Sequence, residues 1–254
     1  MKVQKKLKSK VIRVSKLISH AGICSRREAE NLIKKGEVTV NGQISKDYVL
    51  DIDKIQSLCV SKKKIKKQKS RIWIFYKPVG FVSSNKEQFN QKSLFRLLPQ
   101  ELPRVVSVGR LDIKSEGLMI LTNNPTISNY LESPVNKIER IYLVDAIGKV
   151  TESFLKKTKE IIKIKGVIYQ NFSLKVLSSS HNKHCFEIRL FEGKNREIRN
   201  ILNHFGFNVQ KLKRMKYGPF QLGSLIEGKV SEISNLKVNF FLKKLGLSDE
   251  NNFW

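Results

Sequence analysis

One carboxylate stands out by its placement. In the stretch SVGRLDIKSEGLMILTNN, residues 107–124, Asp112 sits between two apolar runs, with Arg110 two residues before it, in a chain crowded with lysine and arginine. A lone loop aspartate is commonly a turn or cap residue. Here the flanking runs read as strands that would hold the acid at a sheet edge, and nearby guanidinium groups favour an anion. An ionised acid aimed at a sugar carbon can act as a nucleophile. Two further stretches carry unusual side chains. Tyr142, in ERIY, opens an apolar strand; it is either core or a flat ring for a nucleobase, a stack contributing ~1–3 kcal/mol per base. In EGKNREIRNIL, residues 192–202, Arg196 and Arg199 are three apart and share one helix face, with Asn195 at or near the N-cap. Two such arginines can grip phosphates, clamp a carboxylate, or simply face solvent. Asp112 with Glu116 raises glycoside hydrolysis, which needs two acids ~5–9.5 Å apart across a sugar. Four residues of loop do not fix that separation, so a sugar-polymer hydrolase ranks below an RNA enzyme.

The charge balance points the same way. Over 254 residues, 49 basic and 22 acidic side chains leave +27, a field that attracts polyanions, nucleic acid foremost. A membrane surface would require a basic amphipathic helix with bulky apolar anchors, which is not evident. A basic ribosomal protein would be shorter and poorer in apolar strands. No run of ~18 apolar residues suggests a span, and no apolar core follows the basic N-terminus as in a secretory signal. Cys24, Cys59 and Cys185 are sparse and unpatterned, as expected for reduced thiols in a cytoplasm. Four histidines lack metal-site spacing; His181 and His184 read as surface loop residues. Oligomeric state is not legible, and a monomer is the default expectation.

The elements that must position these groups fall into two domains. Residues 1–10 read as a basic tail. In residues 11–60 the pattern gives a short helix, Val14 to His20, then a second helix that Ser25 and Glu28 open as a capping box and Gly36 closes, then a hairpin at Asn41-Gly42. Arg26, Arg27, Lys34 and Lys35 lie off its apolar face. Residues 1–70 hold 19 basic and 6 acidic groups, a balance of +13, which favours a phosphate-gripping face. SKKKIKKQKS, 61–70, reads as a basic linker. From 71 to 245, strands (RIWIFYKP, VVSV, GLMILTN, IYLVDAIG, GVIYQNFSLKVL, HCFEIRLFEG) outnumber helices (TISNYLES, TESFLKKTKEI capped by Thr151, NREIRNILNHFG) without regular alternation. That pattern gives an α+β domain with a mixed, mostly antiparallel sheet. Residues 246–254 read as a C-terminal tail.

At these stretches the sequence resembles the bacterial ribosomal RNA pseudouridine synthases of the RsuA/RluB type. YKPVG, VGRLDIKSEGLMILTNN, ERIYLV, EGKNREIRNIL and RMKYGPFQLGSL carry the resemblance in the large domain, and AGICSRREAENLIKKGEVTVNG resembles an S4-like RNA-binding domain. The wording of ERIY and NREIR is closer to the RluB branch, which acts on large-subunit RNA. The resemblance implies isomerisation of a uridine to pseudouridine in ribosomal RNA, with no cofactor and no metal. It assigns Asp112 as the catalytic aspartate, Tyr142 as the base-stacking ring, Arg199 as the partner of Asp112, and Arg110 and Lys77 to looser contacts with the RNA backbone. Ser115, Lys194 and Asn123–Pro125 depart from the commoner residues. The competing reading is an RNA-binding assembly factor with an inactive large domain.

Overall fold

The computed structural model describes residues 11–66, 68–84, 87 and 91–244. The expected tails, 1–10 and 246–254, lie outside the described residues. The chain divides into two compact units. One runs to Arg71 and includes Pro103–Val105 and the chain from Ser234; the other is Ile72–Leu102 with Val106–Ile233.

The smaller unit begins with β1 (Val11–Arg13), α1 (Val14–His20) and α2 (Arg26–Lys34). Ser25 caps α2 reciprocally: its Oγ accepts the Glu28 N–H at 3.3 Å, and the Glu28 carboxylate accepts the Ser25 N–H at 2.8 Å. Such a cap contributes ~1 kcal/mol. Strands β2 (Val38–Val40) and β3 (Gln43–Ile44) form the expected hairpin, with Asn41 and Gly42 both left-handed. β4 (Val49–Asp51) pairs β1, and β5 (Leu58–Val60) pairs β2. Val14, Leu17, Ile18, Ala29, Ile33, Val38 and Leu58 form the core.

The expected linker is only partly one. Lys63–Lys64 form β6 and pair with β5 across a tight turn in which Ser61 and Lys62 take positive φ. Ile65 then enters the core at 6% exposure while the lysines stay in water. One apolar side chain suffices because an edge strand needs an anchor on one face only.

The larger unit is built on one mixed sheet. Its elements are β7 (Ile72–Lys77), β8 (Val106–Val108), β9 (Glu116–Thr122), α3 (Pro125–Glu132), β10 (Arg140–Ile147), α4 (Glu152–Lys157), β11 (Ile162–Ile164), β12 (Val167–Tyr169), β13 (Ser173–Ser180), β14 (Lys183–Leu190), α5 (Glu197–His204), β15 (Asn208–Tyr217), β16 (Phe220–Gln221) and β17 (Val230–Glu232). The sheet order is β13-β14-β10-β15-β9-β7-β17, with β8 on β9 and β16 on β15; β11 and β12 form a separate hairpin. Every strand pair in that sheet is antiparallel except β9 with β15. That junction needs Gly117: its φ is +103°, and a Cβ there would stand 2.4 Å from the Arg214 carbonyl oxygen. The α+β reading with a mostly antiparallel sheet therefore holds.

Local differences have local causes. The stretch 166–177, expected as one strand, breaks into β12 and β13. Strand β15 was not expected, because lysines alternate with its buried Leu212 and Arg214 and mask the apolar signal. His184 is not a loop residue; it lies in β14, 7% exposed, between Ser179 Oγ at 2.9 Å and the Gly148 carbonyl at 3.0 Å, stacked on Phe186. Pro125 does not disturb the chain after β9: it is the first residue of α3, where a missing N–H costs nothing, and Asn124 caps the helix. The last described helix, α6 (Asn235–Lys244), groups with the smaller unit and not with the large domain expected over 71–245.

Candidate active site

A cleft of about 810 Å³ opens in the larger unit, and Asp112 lines it together with Arg110, Tyr142, Asn195 and Arg196. Five sequence-nominated groups thus meet in one cavity, brought there by β8, β10 and the turn before α5.

The loop that carries Asp112 is tethered on every side. Gly109 turns the chain out of β8 at a φ of +66°, and Leu111 buries its side chain at 7% exposure. Ser83 Oγ accepts the Leu111 N–H at 3.1 Å and donates to the Leu111 carbonyl at 2.9 Å. The Gly80 N–H reaches the Ile113 carbonyl at 2.8 Å, and the Ser115 N–H closes the turn on the Asp112 carbonyl at 3.0 Å. Beneath the loop lies Lys77, with no exposed surface. Its ammonium donates to the carbonyls of Ser115 (2.7 Å), Pro78 (3.0 Å) and Asp112 (3.1 Å). Burial pushes this lysine down to about 8, opposed by the Asp112 carboxylate. The expectation that Lys77 contacts an RNA backbone is therefore corrected: a fully buried ammonium with three carbonyl acceptors is a loop fastener.

The Asp112 side chain is 27% exposed, and its Oδ2 stands 3.6 Å from Arg196 Nη1. The expected partner was Arg199. That arginine instead donates to the Lys114 carbonyl at 2.7 Å and the Val209 carbonyl at 3.2 Å, so it grips the backbone of the aspartate loop. Burial, then Arg196, lowers its pKa, while Asp112 raises it. The exchange of roles follows from the helix start. α5 begins at Glu197, so Arg196 and not Asn195 is the N-cap, in the left-handed conformation at a φ of 51°. That kink turns Arg196 away from the helix face it was expected to share with Arg199.

Tyr142 is 7% exposed and lies on the same face of β10 as Arg140, two residues earlier. Arg140 Nη2 donates to the Tyr217 hydroxyl at 2.8 Å, and the Tyr217 hydroxyl donates to the Leu131 carbonyl at 3.0 Å. The Arg140 and Arg214 guanidinium carbons lie 4.5 and 5.0 Å from the centre of the Tyr217 ring. Arg214 also donates to the Leu118 carbonyl at 2.7 Å. Two buried arginines, packed on the Tyr217 ring, thus contribute fixed positive charge to the cleft lining. Glu116, the other acid considered for glycoside chemistry, accepts the Tyr76 hydroxyl at 3.0 Å.

A family model described as RNA pseudouridylate synthase matches residues 71–204, just over half of the chain, and an S4 domain model matches residues 12–48. The chain belongs to the RNA pseudouridylate synthase family. It is an RNA pseudouridine synthase with an S4 domain, of the RsuA type, and RNA is its partner. An RNA pseudouridine synthase of Rickettsia typhi is 43% identical over 224 residues, covering 88% of this chain and 92% of the relative. The ribosomal large subunit pseudouridine synthase B of Bacillus subtilis is 30% identical over 227 residues, 87% of this chain and 92% of that one. Among solved structures, a crystal structure of a pseudouridylate synthase shares the fold with a TM-score of 0.64 at 23% identity, covering 89% of this chain and 98% of that one.

Some groups of this synthase escaped sequence reasoning. Arg140, Arg214 and Tyr217 line the cleft but lie in strands. The signal for them was arginine at alternate positions of apolar runs, a buried charge requiring carbonyl or aromatic partners. In the S4 domain, Arg26, Arg27, Lys34 and Lys35 are all exposed. Arg27 and Lys34 are seven residues apart on α2, hence on one face about 10 Å apart. Arg13 and Lys16 were missed; with Arg26 they line a hollow of about 320 Å³. Burial and the neighbouring Arg26 push Lys16 below its ordinary value. No helix among the described residues is long and apolar enough to cross a membrane.

Proposed function

We propose that the chain isomerises one uridine of ribosomal RNA, in the large subunit, to pseudouridine, with Asp112 as the catalytic aspartate. The observation that carries the reading is the Asp112–Arg196 ion pair inside a cleft that Tyr142 also lines. The large-subunit target is supported by the Bacillus subtilis relative named for it.

The chemistry asks for one well-placed anion. The bond from sugar to ring nitrogen breaks, the uracil turns in place, and carbon five bonds to the sugar while its proton leaves and the freed ring nitrogen takes one up. Asp112 either attacks the anomeric carbon or removes a sugar proton; both need a carboxylate held still by its loop. Arg196 is the charge partner that orients it. Arg199 fixes the loop through Lys114, a positioning role. Tyr142 offers its ring to the base, and exposed Arg110 and Asn195 at the cleft contact the backbone of the strand. Extruding the uridine costs a few kcal/mol, so a loop or bulge is the expected target. The exposed cations of α2 add sequence-independent grip.

Asp112→Asn tests the assignment. Pseudouridine formation on an unmodified transcript is expected to vanish while RNA affinity stays within about twofold. Wild-type turnover in that variant would end the assignment. Mapping pseudouridine in ribosomal RNA of a deletion strain tests the target, and an unchanged map would contradict it.

A further inference from the structure

Glu197, the first residue of α5, is 4% exposed and lines the cleft. Its Oε2 accepts the Lys194 N–H at 3.0 Å, while its buried Oε1 meets no donor among the described residues. The carboxyl group it faces belongs to Glu192. Glu192 is itself occupied: Oε2 pairs with Lys194 Nζ at 2.6 Å, and Oε1 accepts the Gln170 N–H at 2.8 Å. Between these two acids run only Gly193, Lys194, Asn195 and Arg196. Arg196 sits there in the left-handed region, a conformation that a residue with a Cβ keeps only when its surroundings enforce it.

An ionised carboxylate with an orphaned buried oxygen is costly, and a second carboxylate beside it makes matters worse. A proton on Oε1 resolves both problems, because a protonated acid donates one hydrogen bond that the neighbouring carboxylate accepts. We propose that Glu197 and Glu192 hold one proton between them, and that this pair closes the turn that presents Arg196 to Asp112. Glu197 is a positioning residue in this scheme, acting through Arg196. Burial, then Glu192, pushes Glu197 up to about 8, so it carries the proton near neutral pH. Burial raises Glu192 too, but the Lys194 and Gln170 donors outweigh it and leave Glu192 below its ordinary value as the anionic partner. Glu192 and Lys194 are the charged groups that act on Glu197. Above about pH 8 Glu197 ionises, two anions face each other, and the turn opens, taking Arg196 from Asp112. The consequence for turnover rests on the reaction proposed above; the shared proton does not.

Glu197→Gln keeps the size and the donor and stays neutral at every pH. The kcat of the full-length wild type and variant is measured on an unmodified large-subunit RNA transcript. Between about pH 7 and pH 9 the ratio of wild-type to variant kcat is expected to fall about tenfold, the loss of protonated acid over that range. Lys77 titrates in both proteins and cancels in the ratio. In parallel, carbon-13 NMR of the glutamate-labelled full chain is expected to show one carboxyl titrating near 8, absent from the variant. A pH-independent ratio, or every glutamate carboxyl titrating below about 5, overturns the proposal. If the variant fails to fold, the wild-type titration decides alone. A wild type that modifies no RNA but shows the high titration would count against the reaction and leave the shared proton standing.

Discussion

Replacing Lys77 with methionine tests whether the aspartate loop is fastened from below. Burial takes the ammonium from its ordinary 10.5 to about 8, a penalty of roughly 3 kcal/mol that the folded state carries near neutral pH. Methionine removes the penalty and conserves most of the volume. It also strips the ammonium from the Pro78, Asp112 and Ser115 carbonyls. The Asp112 carbonyl keeps the Ser115 N–H at 3.0 Å, which leaves two acceptors short. At ~1–3 kcal/mol each, the loss is ~2–6 kcal/mol. The two terms nearly cancel, so the variant is expected to lose no more than about 3 kcal/mol of stability at neutral pH. Turnover should suffer more. A shift of ~1 Å in a reacting group costs about 10²-fold, and the loop that carries Asp112 has lost its floor. The pH dependence gives a second readout. A lysine whose folded pKa lies below its unfolded value is a burden in full below about pH 8. Above that the unfolded chain holds a proton that the folded chain has released, and the burden lifts as the pH climbs toward 10.5. Wild-type stability is therefore expected to gain on the variant by about 2 kcal/mol in all from about pH 8 to 10. Urea unfolding across that range, with turnover at about pH 7, checks both. A stability difference that is flat in pH, or a variant with wild-type turnover, would refute the reasoning.

Three further outcomes are expected. Arg196→Ala should lower kcat with little change in melting temperature, since Arg196 is exposed and touches only Asp112 among the described ion pairs; Arg199→Ala should lower both kcat and stability, by ~2 kcal/mol, because two carbonyls lose a charged donor. Equal melting temperatures for the two variants would show that Arg199 fastens nothing. Changing Arg26, Arg27, Lys34 and Lys35 together to alanine should weaken RNA binding and flatten its salt dependence by as many as about four phosphate contacts. Parallel slopes in filter-binding titrations would remove α2 from the interface.

Local chemistry was written plainly in the sequence. The Ser25–Glu28 box, the Asn41-Gly42 turn, the Thr151 cap and the strands β7, β9, β10 and β14 all follow from short-range patterns, because each depends on neighbours within a few residues. Asp112 and Tyr142 were legible as candidates for the same reason: unusual residues at the ends of recognisable elements. What the sequence could not decide was which long-range partner each would meet. Arg196 and Arg199 are indistinguishable on a helical wheel, and only the left-handed turn before α5 sends one to the carboxylate and the other to a carbonyl. Lys77 looked like a surface cation until the β9–β15 junction and the Asp112 loop closed over it. The pairing proposed for Glu192 and Glu197 depends on a turn that brings two acids together and buries one of them. Local structure is set by backbone preference, which each residue carries with it. Burial, charge pairing and the titration of buried groups depend on what the rest of the chain brings alongside, and that is settled only in three dimensions.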